Sequence, residues 1–181
     1  CVVAFAVSLA EERQRGTLMR LSVAPLPPWK VLAGKALACF ITGVAVQVFL
    51  ITVGVLLLGV RVADWPMLGL AVVVAAFAFT GVMTLLAALG RSEAGASGVG
   101  RAAMLLLAML GGGAVPLMFM PGWMQTLASV SPFKWALLAV EGAVWRGSTP
   151  LEMALPLGVL LGAGVVCLTI GAVVLERTRT A

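Results

Sequence analysis

The chain has 181 residues, 62% of them hydrophobic and only 10% charged, with a net charge of +5. Soluble domains carry about 25% charged residues, so composition excludes a water-soluble fold. Several apolar runs longer than the roughly 20 residues that cross a bilayer predict an all-α, polytopic helical membrane protein. The absence of histidine excludes a His-based catalytic or zinc site from this sequence, and three scattered cysteines, Cys1, Cys39 and Cys167, argue against a disulfide framework.

The first run, CVVAFAVSLA, is too short to span and has no basic region before it, so it does not read as a signal peptide. It is expected to be the second half of a helix whose first half precedes Cys1. On that reading residues 1–181 form a single transmembrane domain, part of a longer protein.

Residues 11–29, EERQRGTLMRLSVAPLPPW, form the longest stretch without a membrane-like core, and apolar spans flank it. It must therefore sit at a membrane surface. As a helix over residues 11–23 it has two faces: Arg13, Thr17 and Arg20 share one, Leu18 and Leu21 another. Glu11 and Glu12 fall in the first turn, where carboxylates suit the positive helix end. Pro25, Pro27 and Pro28 end the helix, because proline has no amide hydrogen to donate. The residues alone leave two readings open, a docking handle for a partner protein or an anchor on lipid headgroups.

The first full span is predicted over residues 31–60, with Lys35 near its start able to snorkel to the headgroups. A short turn through Arg61, Asp64 and Trp65 leads to a second span over residues 67–89. Residues 90–101 are polar and glycine-rich and read as a loop. A third span is expected over residues 102–120, loosened by Gly111, Gly112 and Gly113. Residues 121–150 are apolar but punctuated by Pro121, Pro132 and Pro150. They divide into two short helices, near 122–130 and 133–145, expected to dip in and return rather than cross, which is tolerated only under cover of protein or water. The last span is predicted over residues 151–175. In all, about four full or partial spans follow the truncated first helix.

Orientation follows from the basic residues. Nine (Arg13, Arg15, Arg20, Lys30, Lys35, Arg91, Arg101, Arg177 and Arg179) fall on one side, and three (Arg61, Lys134 and Arg146) on the other. The first side is expected to be cytoplasmic. The basic residues are dispersed, without interleaved aromatics, so no nucleic-acid partner is expected. Gly34-Lys35 fails the phosphate-loop pattern, which needs a glycine where Trp29 stands and a Ser or Thr where Ala36 stands. No nucleotide, metal or other cofactor site is expected.

Thr42, Thr52, Thr80, Thr84 and Thr169 are expected to bond within or between helices. Gln47, an amide near mid-span, is the candidate for a translocation path. Glu141 is a second candidate, although Lys134 and Arg146 lie close enough in sequence to pair with it. Gly158-x-x-x-Gly162 is expected to mark close helix packing.

Several of these residues recur together in a known family. Glu12-Arg13, Gly16-Thr17-Leu18, Leu21, Pro25-Leu26 and Gly34-Lys35 resemble the cytoplasmic coupling segment of ABC transporter permeases of the type-2 export class. Pro116, Pro121, Ser131-Pro132-Phe133 and Trp135 are similar to the broken extracellular stretch before that family's final span. The resemblance covers nearly all of the chain and corresponds to the family's C-terminal part; Met19 departs from it, standing where an acidic residue is frequent. It implies a six-span permease in the plasma membrane, not itself an enzyme, that pairs with a second permease chain. It also implies that Glu12, Arg13, Gly16, Thr17, Leu18, Leu21 and Pro25 meet a separate ATPase subunit, and that a drug, lipid or glycoconjugate moves outward. The coupling helix and the C-terminus would be cytoplasmic. An ion-coupled carrier would need intramembrane carboxylates or an inverted repeat, and Glu141 alone is a poor basis for one. A non-transporting membrane scaffold is the third alternative.

Overall fold

The computed structural model describes residues 28–89, 93–113, 119–147 and 149–180. Among them the chain is helical throughout. In order come α1 (Pro28–Leu58), α2 (Trp65–Leu89), α3 (Glu93–Ala108), which runs into a π-helical turn (Met109–Gly113), α4 (Gly122–Ala128), α5 (Pro132–Glu141) with a second π-helical turn (Gly142–Arg146), and α6 (Pro150–Thr180). Three segments are long and apolar enough to cross a membrane: Ala33–Leu58, Trp65–Leu86 and Pro150–Val174. The predicted spans 31–60, 67–89 and 151–175 coincide with them to within a few residues. The fold is that of a polytopic all-α membrane protein.

Three helix starts have a side-chain cap. Asp64 caps α2, its Oδ1 accepting from the Met67 amide at 3.0 Å. Ser131 caps α5 with Pro132 at the first helical position, where a missing N–H costs nothing. Thr149 and Glu152 form a reciprocal capping box on α6: the Thr149 amide donates to Glu152 Oε2 at 2.9 Å, and the Glu152 amide donates to Thr149 Oγ1 at 3.4 Å.

The third span differs from expectation. Helix α3 begins at Glu93, inside the stretch read as a loop, and its described part runs through the π-helical turn to Gly113. Serine and glycine lower helix propensity by at most about 1 kcal/mol each, which context overrides. Gly112, at φ 101°, leaves the right-handed region altogether and kinks the chain within the π-helical turn. The two short helices after it lie where the prolines place them, and the Gly122–Ala128 and Pro132–Arg146 pieces meet at 97°.

Helix α2 is the centre of the bundle. Leu68, Ala71, Val72, Val74, Ala75, Ala76, Ala78 and Met83 are all buried. Its most extensive partner is α6, with α5 packed against both and α1 lying on its other side. Tight contact between α2 and α6 comes from glycine. A Cβ at Gly81 would collide with the Gly164 carbonyl oxygen, and one at Gly164 would stand 2.8 Å from the Phe77 ring. A Cβ at Gly171 would stand 2.9 Å from the Leu85 amide. The expected Gly158-x-x-x-Gly162 contact is not formed among the described residues, since a Cβ at either position meets nothing within 4 Å. Close packing instead uses the next face of α6, because α2 brings its own glycine, Gly81, to Gly164.

The span threonines bond back along their own helices. Thr80 Oγ1 donates to the Ala76 carbonyl and Thr84 Oγ1 to the Thr80 carbonyl, each at 2.8 Å. Thr42, Thr52 and Thr169 do the same on α1 and α6.

Candidate transport site

The candidate coupling residues Glu12, Arg13, Gly16, Thr17, Leu18, Leu21 and Pro25 lie outside the described residues. The two candidate path residues fall on separate elements, and each bonds locally. Gln47, half-buried on α1, reaches only the Gly43 carbonyl of its own helix, at a long 3.5 Å. Glu141, at the end of α5, accepts from Arg146 at 3.3 Å. Lys134, the other cation considered for it, turns away and donates to Ser129 Oγ at 2.7 Å and the Gln125 carbonyl at 3.0 Å.

The bent pair α4–α5 is held at three points. Trp135 Nε1 donates to the Ser129 carbonyl at 2.8 Å, and Lys134 Nζ lies 5.7 Å from the Trp135 ring, so the elbow between the two helices is fastened by its own side chains. Ser131 then ties the elbow to α3. Its hydroxyl, 1% exposed, donates to the Leu107 carbonyl at 2.6 Å and accepts from the Phe133 amide at 3.3 Å. Gly111 makes this approach possible, because a Cβ there would overlap that of Phe133. Phe133 also packs against Phe79 of α2, ring centroids 4.7 Å apart.

The third point is the turn at the end of α5. A helix leaves its last carbonyls without internal partners. Here the Ala63 and Asp64 amides, in the loop before α2, donate to the Val144 and Ala143 carbonyls at 3.0 and 3.1 Å. Gly147, at φ 56°, then reverses the chain into α6. The end of the bent pair is thus sewn to the α1–α2 loop by backbone alone. Trp123 and Trp145 remain mostly exposed on this unit, as does Trp65 at the start of α2.

Sequence reading missed Ser131 and the Thr149–Glu152 box as structural devices. Both had a readable signal, a Ser directly before a Pro and a Thr three residues before a Glu. The loop-to-turn backbone bonds had none.

The sequence matches a known family model, described as ABC-2 type transporter, over residues 1–145. The chain belongs to the ABC-2 type transporter family. Two curated relatives are the probable multidrug ABC transporter permease YbhR of Escherichia coli strain K12 and its counterpart in strain O157:H7. Each is 29% identical over 140 residues, covering 74% of this chain and 36% of the relative. The chain thus spans about a third of their length. No solved structure matches it. As an ABC-2 family member with these apolar helices, the chain is part of a multi-pass membrane protein.

Proposed function

We propose that the chain is the C-terminal transmembrane part of a six-span ABC exporter permease, which moves a drug, lipid or glycoconjugate outward across the plasma membrane. ATP is hydrolysed in a separate ATPase subunit, and a second permease chain completes the pathway. The observation that carries this is the family match over residues 1–145, which includes the surface stretch 11–29. The relatives named as probable multidrug permeases support a drug as cargo.

In this reading the helix at residues 11–23 and the C-terminus are cytoplasmic, on the nine-to-three distribution of basic residues. The α4–α5 pair then caps the outer end of the path as a re-entrant hairpin, with Trp123, Trp135 and Trp145 at headgroup depth. Gln47 and Glu141 are the candidate path residues. Leu18 and Leu21 fill an apolar groove on that subunit, Arg13, Arg15 and Arg20 pair with acids around its rim, Gly16 allows close backbone approach, Thr17 bonds within the helix, and Glu12 belongs to the same coupling segment. Pro25 begins the stiff link to α1. A partner shifts a conformational equilibrium only through contacts that differ between the two states, and this helix is the contact proposed.

The test is ATPase capture and substrate export by the full-length protein at matched expression. The double variant Leu18→Asp with Leu21→Asp should insert normally, because no span is altered, yet lose ATPase capture and export. Normal capture and normal export would leave the lipid-anchor reading of this helix in its place.

A further inference from the structure

A cleft of about 440 Å³ opens between α5 and the first two turns of α6, lined by Trp135, Leu138, Leu155 and Pro156 with Arg146 and Glu152. That volume lies within the range of roughly 300–1,000 Å³ usual for small-molecule sites. Its polarity is graded along α6. Glu152 lies in the helix's first turn, at the end of the candidate span Pro150–Val174, while Leu155 and Pro156 lie one turn deeper. The exposed indole of Trp145 stands next to Arg146 in the chain, as tryptophans do at headgroup level.

Arg146 and Glu152 face the same cleft without pairing with each other. Among the described residues Arg146 makes one contact, of 3.3 Å to Glu141, and its side chain is 58% exposed, so donors of its fork face outward. Glu152 spends one carboxylate oxygen, Oε2, on the Thr149 amide. Pro156 has no N–H for the Glu152 carbonyl, which leaves a backbone acceptor beside the carboxylate. The rim therefore presents a fork of donors on one side and a set of acceptors on the other, over an apolar floor.

We infer that this cleft binds a bilayer phospholipid with a phosphoethanolamine headgroup, phosphate on Arg146 and primary ammonium on Glu152, with the acyl chains following Leu155 and Pro156. A purely anionic headgroup would satisfy Arg146 but face the Glu152 carboxylate. A purely cationic one would do the reverse. A choline headgroup has no N–H to donate to Glu152. It would favour a cage of aromatic rings, and the cleft has one ring, Trp135, already close to the Lys134 ammonium. The inference does not depend on what the permease exports, since it concerns a lipid held at the end of a span.

Glu152→Gln is the sharpest probe, because glutamine at this position retains the capping box and removes only the charge. The full-length protein, purified from membranes, is titrated with phosphatidylethanolamine, phosphatidylcholine and phosphatidylglycerol, and bound lipid is counted by native mass spectrometry. Wild type should favour phosphatidylethanolamine. Glu152→Gln should weaken phosphatidylethanolamine by roughly tenfold, the scale of one charge-assisted hydrogen bond, and should not weaken phosphatidylglycerol. Arg146→Gln should weaken both. Equal binding of phosphatidylethanolamine and phosphatidylcholine by wild type would overturn the inference. So would an unchanged ratio of phosphatidylethanolamine to phosphatidylglycerol in Glu152→Gln.

Discussion

Helices α1 and α2 are adjacent, comparably apolar and both long enough to span, yet the chain treats them in opposite ways. Of the residues in the most apolar window of α2, 67% are buried, whereas in that of α1 none is more than partly buried. Hydrophobicity cannot be the cause, since lipid is as apolar as leucine. In a membrane, helices associate through close packing of small residues and through hydrogen bonds. Helix α2 meets α6 through Gly81 against Gly164, with Ala71, Ala75 and Ala78 fully buried nearby. Of the glycines on α1, Gly43 is the one that faces α2, and its Cβ position would stand an ordinary 3.7 Å from Ala76, while Leu37, Ile41, Phe49 and Leu56 turn outward. Residue size at the crossing decides which helix becomes core.

The largest expected effect tests that rule directly. Gly81→Leu should destabilise the chain by about 3 kcal/mol, because the new side chain meets backbone that cannot yield. Gly158→Leu, on the open face of α6, should stay within about 0.5 kcal/mol. Thermal unfolding of the full-length protein in detergent measures both. Equal losses would mean that a second chain or a preceding segment covers the Gly158 face.

Ser131→Ala should cost about 2 kcal/mol, since it strands the Leu107 carbonyl and the Phe133 amide in a buried site. Limited proteolysis should also show faster cleavage near the α4–α5 elbow. A silent Ser131→Ala would show that the hairpin is held by the Phe79–Phe133 contact and the backbone bonds instead.

Asp64→Ala removes a cap and should cost about 1 kcal/mol in the same unfolding assay. The smallest effect is expected on α1. Thr42→Val and Thr52→Val remove bonds made only to their own helix, so each should change stability by no more than about 0.6 kcal/mol. A large loss at Thr52 would place a partner on the α1 surface and erase its contrast with α2.

Much of this was legible in the residues. The spans could be read because run length against bilayer thickness is a nearly unambiguous signal. The bent pair could be read because Pro121, Pro132 and Pro150 interrupt an apolar stretch too short to be two crossings. The threonines bonded as expected because a hydroxyl on a helix always finds its own i−4 carbonyl within reach. Packing was harder. Gly158-x-x-x-Gly162 has the right spacing for a close crossing, but spacing alone cannot say which face of α6 meets a partner glycine. Gly164 and Gly171 take that part because Gly81 and the Leu85 backbone are opposite them. The Leu107–Ser131 bond joins residues far apart in sequence, and the loop amides on the Ala143 and Val144 carbonyls carry no side-chain signature at all. The start of α3 at Glu93 was hidden by a glycine-rich composition that local propensity reads as a loop.

The unequal lengths of the long helices have a mechanical consequence. At 1.5 Å per residue, the 26-residue apolar segment of α1 is about 39 Å long, and the 22-residue segment of α2 about 33 Å. A hydrocarbon layer of about 30 Å suits α2 nearly upright and leaves α1 with a surplus that it must absorb by leaning. Leaning is easy for α1, because no glycine-tight crossing fixes its angle to α2. A thicker bilayer would draw it upright and a thinner one would lay it over. Helix α1 is therefore the one whose inclination the membrane itself can set.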